Sequence, residues 1–383
     1  MDDLTRNIKR LRLIRGFDQD RMAGLLGVSR VTYSKLENGK SKFSDDLFYQ
    51  LSRVLAVPPE TLLEPSVAQS RTFFRHKRTM TAQQRACNEQ MVLDAERKLM
   101  DYAFLETVTH ESCSLNEELG ALRHPVASLA EAKALGTRVR QLFASQGYGN
   151  VGRLGEAIES NGIRFLPLAF PSNEEFGFTL KLKDGVMGIA VNTHGSISGE
   201  RQLFTLCHEV GHFLMHFKVE EVGACEALSP EAAKKIEKEA DAFASGLLMP
   251  DADFDAAWNA LEGQLWFNRI LAVKKLFSVS YQTVLYRLDE KYKSATGKSV
   301  APPYRVWFRQ NYHRRFGREL PSREEACPGD FRVSSSRYLR LARRAFLSHE
   351  ITISRLAELL GKGVLETRAL ANEWAREESE VVG

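Results

Sequence analysis

The 383 residues predict a mainly α protein with one small α+β domain, and three observations carry that expectation. Apolar residues recur at helical spacing near both ends, as at Leu4, Ile8 and Leu11 and again at Leu356, Leu359 and Leu360. Short apolar or alternating runs broken by Gly, Pro, Asn and Asp gather between residues 162 and 192. Directly after them, His208-Glu209-Val210-Gly211-His212 sits within an apolar pattern of helical period.

From the N-terminus, Leu4, Ile8, Leu11 and Ile14 predict a first amphipathic helix, closed by Gly16. Asp18 caps a second helix that Gly27 ends, and Ser29 caps a third from Arg30 to about Glu37, stopped by Asn38-Gly39. Two short helices separated by Gly-Val-Ser are the sequence form of a helix-turn-helix. Leu47, Leu51, Leu55 and the stretch from Pro59 to Leu63 supply further helices to close a small core. Residues 4–64 resemble the XRE/Cro-type repressor DNA-binding domain, most clearly along Gln19–Ser29 and Tyr33–Lys40. That resemblance implies that the third helix enters the major groove of an operator, with Arg30, Val31, Ser34 and Lys35 facing base edges. Arg30 can pair with a guanine and Val31 can touch a thymine methyl. Gln19, Asn38, Lys40 and Lys42 fall where such domains hold phosphates. A helical bundle used for protein contact is the competing reading.

Residues 65–128 form a connector. Its first part holds Pro65, several Ser and Thr, and the basic cluster Arg71, Arg75, His76, Lys77 and Arg78, read as a solvated linker or a DNA-backbone contact. From Thr81 onward, Met91, Leu93, Leu99, Met100, Phe104 and Leu105 predict one long helix or a helical hairpin. Such a helix either pairs two chains into the homodimer that a palindromic operator requires, or packs onto the chain's own second domain.

Three strands are expected at 162–168, 176–180 and 187–192. On the helix that follows, His208 and His212 are four apart and share a face, so both can grip one zinc-like ion. Glu209 lies between them, placed to act as general base on a water at that ion. A third ligand is then needed. A packed helix over Ile236–Met249, ended by Pro250, offers Glu237 as that ligand, and Asp241, one turn on, to orient a ligand histidine. Glu239 points away from this pair by the helical period, and His216 competes as ligand, transition-state donor or polar helix end.

The run Arg201–His212, followed by Glu237-x-x-Ala240-x-x-Phe243-Ala244-x-x-Leu247-Leu248-Met249-Pro250, resembles the ImmA/IrrE family of metallopeptidases. It implies a zincin-like domain over residues 129–295 with one divalent ion, zinc or else manganese, in a cleft lined by the small sheet. Family members often act on repressors to relieve repression under stress. Tyr281, Tyr286 and His216 are the candidates for stabilising the oxyanion. Cys207 stands where the family usually carries alanine, either as a small buried residue or as an oxidation sensor.

Residues 296–383 are expected to form a basic helical accessory module. Arginines from Arg305 to Arg344 alternate with Tyr304, Trp307, Phe308, Tyr312, Phe316, Phe331, Tyr338 and Phe346. Either the aromatics form a core under surface arginines, or they make a single-stranded nucleic-acid surface that receives an inducer. Ile351–Gly361 mimics the start of another helix-turn-helix with no clear recognition helix after it. The net charge of +4 permits nucleic-acid binding without demanding it, and five scattered cysteines point to a reducing cytoplasm. Met1-Asp2-Asp3 opens straight into a charged helix, unlike a signal peptide, and no apolar run is long enough to span a bilayer. The expectation is a DNA-binding regulator whose peptidase domain cuts a repressor, an antitoxin or itself. A transcription factor with a catalytically silent, sensing peptidase-like domain is the alternative.

Overall fold

The computed structural model describes residues 3–15, 17–55, 57, 59–63, 82–182, 185–216, 229–297, 301–321, 325–329 and 333–382. The basic connector cluster from Arg71 to Arg78 lies outside these residues, as do Pro65, Thr81, Gly16, Cys225, Arg323, Phe331 and Arg332. The chain is mainly α with a small three-stranded sheet, and it divides into two compact units.

The first unit holds α1 (Asp3–Ile14), α2 (Gln19–Leu25), α3 (Arg30–Glu37), α4 (Asp45–Leu55), α5 (Pro59–Leu63) and residues 82–101 of α6 (Ala82–Val108). Each helix of the turn motif starts where a side chain satisfies an otherwise unpaired backbone donor. Asp18 accepts from the Arg21 N–H, and Ser29 from the Thr32 N–H. Gly27 makes the turn between them at φ 66°, a left-handed conformation that a side chain resists. Ile8, Leu11, Met22, Leu26, Tyr33, Leu51 and Leu55 form the core.

Two uses were open for the long helix, pairing chains or packing on the second domain. Residues 82–101 cluster with the N-terminal bundle of their own chain. Leu93 and Met100 pack on its core, and Arg10–Glu96 (2.9 Å) and Arg15–Asp101 (3.4 Å) tie the helix to α1 and the residue just after it.

The second unit takes in the rest of α6 and continues through α7 (Glu117–Ala121), α8 (Leu129–Ser145) and α9 (Leu154–Ser160) to the strands β1 (Arg164–Leu168), β2 (Gly177–Lys181, of which Lys181 is grouped with the first unit) and β3 (Met187–Asn192). β1 runs parallel to β3, with Phe165 opposite Ile189 and Leu166 opposite Ala190. The order is β1-β3-β2, and the link from β2 to β3 is too short for a parallel crossover, so β2 returns antiparallel and forms an edge. β3 packs on α10 (Gly199–Met215), and α10 on α11 (Pro230–Leu248). Phe143, Phe165, Ile189, Leu206, Val210, Phe243 and Leu247 share one core.

α8 and α11 cross at two glycines. A Cβ on Gly136 would lie 2.2 Å from the Phe243 carbonyl oxygen, and one on Gly246 would lie 2.1 Å from that of Lys133. Only glycine permits so close an approach.

After α12 (Asp251–Ala260), α13 (Trp266–Phe277) and α14 (Tyr281–Thr296), helix α15 (Ala301–Phe316) turns Phe308 and Tyr312 inward. Phe308 stacks on Phe267 and Tyr281, Trp266 stacks on Tyr304, and Tyr312 is buried. The arginines of α16 (Ser336–Leu347) are paired: Arg337 with Glu106, Arg340 and Arg344 with Glu111, Arg343 with Glu377. Among the described residues, Phe308, Tyr312 and the arginines of α16 therefore build structure, as the core reading expects. A helix does follow the second turn-like signal. α17 (Ile353–Leu360) ends at left-handed Gly361, and α18 (Val364–Val382) packs back through Thr367, Ala371 and Trp374. That buried stripe is thin and the helix is Glu-rich, so its pattern is faint in the sequence. Among the described residues, no helix is long and apolar enough to cross a membrane.

Candidate metal centre and nucleic-acid interface

α10 starts at Ser198, whose hydroxyl accepts from the Arg201 N–H, and α11 at Ser229-Pro230. Gly211 lets the helices close, since a Cβ there would sit 3.0 Å from the Phe243 ring. This packing brings one face of each helix together around three groups. One ligand atom from each of His208, His212 and Glu237 lies within 4.8 Å of the others. The Nε2 atoms of the two histidines are 3.0 Å apart, and Glu237 oxygens lie 3.6 Å from His208 Nε2 and 3.4 Å from His212 Nε2.

Behind these atoms stand further partners. His208 Nδ1 is 2.9 Å from Asp241 Oδ1. His212 Nδ1 is 2.9 Å from His216 Nδ1, and His216 Nε2 is 3.1 Å from Glu239 Oε2. His216 caps the end of α10 and turns both nitrogens to these neighbours. Glu209 is buried, and its Oε2 accepts from the Thr179 hydroxyl of β2 at 2.8 Å.

The electrostatics favour a cation. Burial opposes charge on His208, yet Asp241 and Glu237 raise it to about 9. Burial lowers His212, and burial with the neighbouring His212 lowers His216 to about 4. Burial would raise Glu237, but hydrogen bonds from His208 and His212 hold it well below the usual carboxylate range. Two converging imidazole nitrogens and an ionised carboxylate are the donor set of a zinc-type centre with room for one more ligand. The residues present fit such an ion.

Of the other candidates, Tyr281 is buried with its ring 4.7 Å from that of Phe308, in the aromatic core. Tyr286 is exposed, and after burial the charges of Glu290 and Asp241 push its hydroxyl upward. The Cys207 thiol is fully buried and raised by that burial, as a packing residue would be. The sequence reading missed Thr179, because a single threonine in a strand gives no signal of which carboxylate it faces. It set Glu239 aside because the helical period turns it from Glu237, and that same turn carries it to His216.

On α3, Arg30 and Val31 are exposed, as are Lys35, Asn38, Lys40 and Lys42. Arg30 lies 3.5 Å from Asp20, an exposed pair that a nucleic acid could replace. Ser34 is half-buried, and its carbonyl accepts from the Asn38 amide at 2.7 Å. Gln19 donates its amide to Glu37, which Arg12 also pairs, so this predicted phosphate-holding residue braces the motif.

Fold and site define a regulator in which a helix-turn-helix domain is joined to a peptidase-like domain. Residues 8–62 match the family model described as Helix-turn-helix, and residues 159–289 match that of a peptidase family described as the IrrE N-terminal-like domain. Among curated proteins no sequence matches the chain.

Proposed function

We propose that the chain is a DNA-binding transcriptional regulator carrying a working metal-dependent endopeptidase, with His208, His212 and Glu237 holding one divalent ion, most simply zinc. The observation that carries this reading is the convergence of those three donors beside Glu209. When bound, the ion supplies Lewis-acid chemistry, polarising a peptide carbonyl and making a water acidic enough to ionise near neutral pH. Glu209 is the general base. Its Oε2 accepts a hydrogen bond from the Thr179 hydroxyl, which aims the carboxylate that would receive the water's proton. Asp241 holds the His208 ring through Nδ1, keeping Nε2 turned toward the ion. β2 carries Thr179 along an edge of the sheet, so an extended peptide adding to that edge would run beside the centre. This supports a protein substrate: a repressor, an antitoxin or the chain itself, cut to relieve repression.

Residues 1–64 bind a palindromic operator as a dimer in this reading, with Arg30 and Val31 at the exposed start of α3 facing bases. The test is incubation of purified protein with zinc or manganese, read by gel, beside Glu209→Gln. Shortened species from the parent, and none from the variant that still binds metal, is the expected outcome. Bound metal with neither the chain nor a neighbouring gene product cut would return the silent-sensor reading.

A further inference from the structure

We infer that His216 and Glu239 are positioning residues of the metal centre, forming a relay that orients His212 much as Asp241 orients His208. The inference rests on the metal-site reading above and adds a second, longer arm to it. His212 turns Nε2 toward His208 and Glu237, which leaves Nδ1 on the far side of the ring, 2.9 Å from His216 Nδ1. The second nitrogen of His216 then meets Glu239 Oε2 at 3.1 Å.

Only one proton arrangement makes both contacts hydrogen bonds while His212 ligates through Nε2. Neutral His212 keeps its proton on Nδ1 and donates it. His216 Nδ1 must accept, so the His216 proton sits on Nε2 and is donated to the Glu239 carboxylate. Glu239 thereby sets the tautomer and ring direction of a histidine it does not touch. The ring of His216 lengthens the carboxylate's reach.

The helices place this arm without extra cost. His216 follows His212 by one turn of α10, and Glu239 follows Glu237 by two residues on α11, on another side of that helix. Glu237 thus faces one end of the His212 ring while Glu239 secures the other through His216. Glu239 and His212 are both buried, and Lys235, 3.6 Å from the other Glu239 oxygen, is the further charged neighbour. Buried hydrogen bonds of this kind hold direction more firmly than exposed ones.

The test is zinc affinity of the full chain, measured by competition with a chromophoric chelator, for the parent, Glu239→Gln, His216→Gln and the double variant. Each single change is expected to weaken zinc by about 10–100-fold. The double should weaken it no more than the worse single, because both residues act through one path. Melting of the metal-free proteins reports whether each still folds. Parent-like affinity in both singles, or losses that multiply in the double, overturns the relay. If Glu239→Gln does not fold, the His212 Nδ1–H proton in the zinc-loaded protein decides: its NMR signal is expected to shift or vanish in His216→Gln, and an unmoved signal overturns the inference. A parent chain that takes up no zinc defeats the metal-site reading itself, an outcome separate from all of these.

Discussion

Lys274 is buried with two carboxylates, and one ammonium cannot neutralise both. Its Nζ is 2.7 Å from Glu200 Oε1 and 3.2 Å from Glu325 Oε1. Glu325 also accepts from the Tyr281 N–H, and Glu200 from the Gly329 N–H, so the cluster ties residues 325–329 to the first turn of α10. Burial pushes the Glu325 carboxyl up to about 7; Lys274 pulls it down and Glu200 pushes it up again. The folded protein therefore keeps a proton that the unfolded chain loses near pH 4.5. Between those values the folded state binds more protons, so stability falls as pH rises through the window, by about 3 kcal/mol. His212 and His216, held down by burial, contribute the opposite slope in the same window, so the Glu325 contribution is read as a difference. Urea unfolding across pH 4.5–7 is expected to give Glu325→Gln a stability that falls less, or rises more, with pH than the parent's. Parallel pH profiles for parent and variant would mean that Glu325 does not hold the extra proton.

At the scale of elements, the crossing of α8 and α11 positions the centre, because α11 brings Glu237 and Asp241 to the histidines of α10. Gly246→Ala sets two effects against each other. Alanine in place of glycine favours a helix by about 1 kcal/mol. Against that, a Cβ 2.1 Å from the Lys133 carbonyl oxygen must push two backbones apart, and overpacking of a core typically costs about 1–3 kcal/mol. Contact with backbone leaves no flexible side chain to yield, so the clash wins. Gly246→Ala is expected to lower the melting temperature and to weaken metal binding together. A variant with parent-like melting and metal affinity would mean that the helices do not meet so closely. α3 gives the opposite case: its caps, its left-handed turn and its exposed Arg30 were all legible in order, since each depends on residues close in sequence.

For the whole molecule, a cut in this chain would relieve repression where it separates DNA binding from the rest. A peptidase needs an extended stretch of substrate, and helices supply one only by local unfolding. Any self-cleavage is proposed to fall in or beside residues 60–85, where the sequence holds Pro65 and several Ser and Thr, and mass spectrometry of the metal-loaded chain with single-stranded DNA and other inducers would locate it. An intact chain under every inducer, beside a cut neighbouring gene product, would show that the peptidase works in trans. The sequence by itself determined the two matched domains and singled out the three side chains that converge, His208, His212 and Glu237, because helical periodicity and i, i+4 spacing are local rules that survive any packing. Tertiary structure alone decided which residues stand behind those donors. Thr179, His216 and Glu239 take their roles from the meeting of β2, α10 and α11. It also decided that α6 begins on the N-terminal bundle, and that the arginines of α16 answer Glu106 and Glu111, far from them in sequence. Partners of that kind are chosen by three-dimensional proximity and charge, and no periodicity in the chain encodes them.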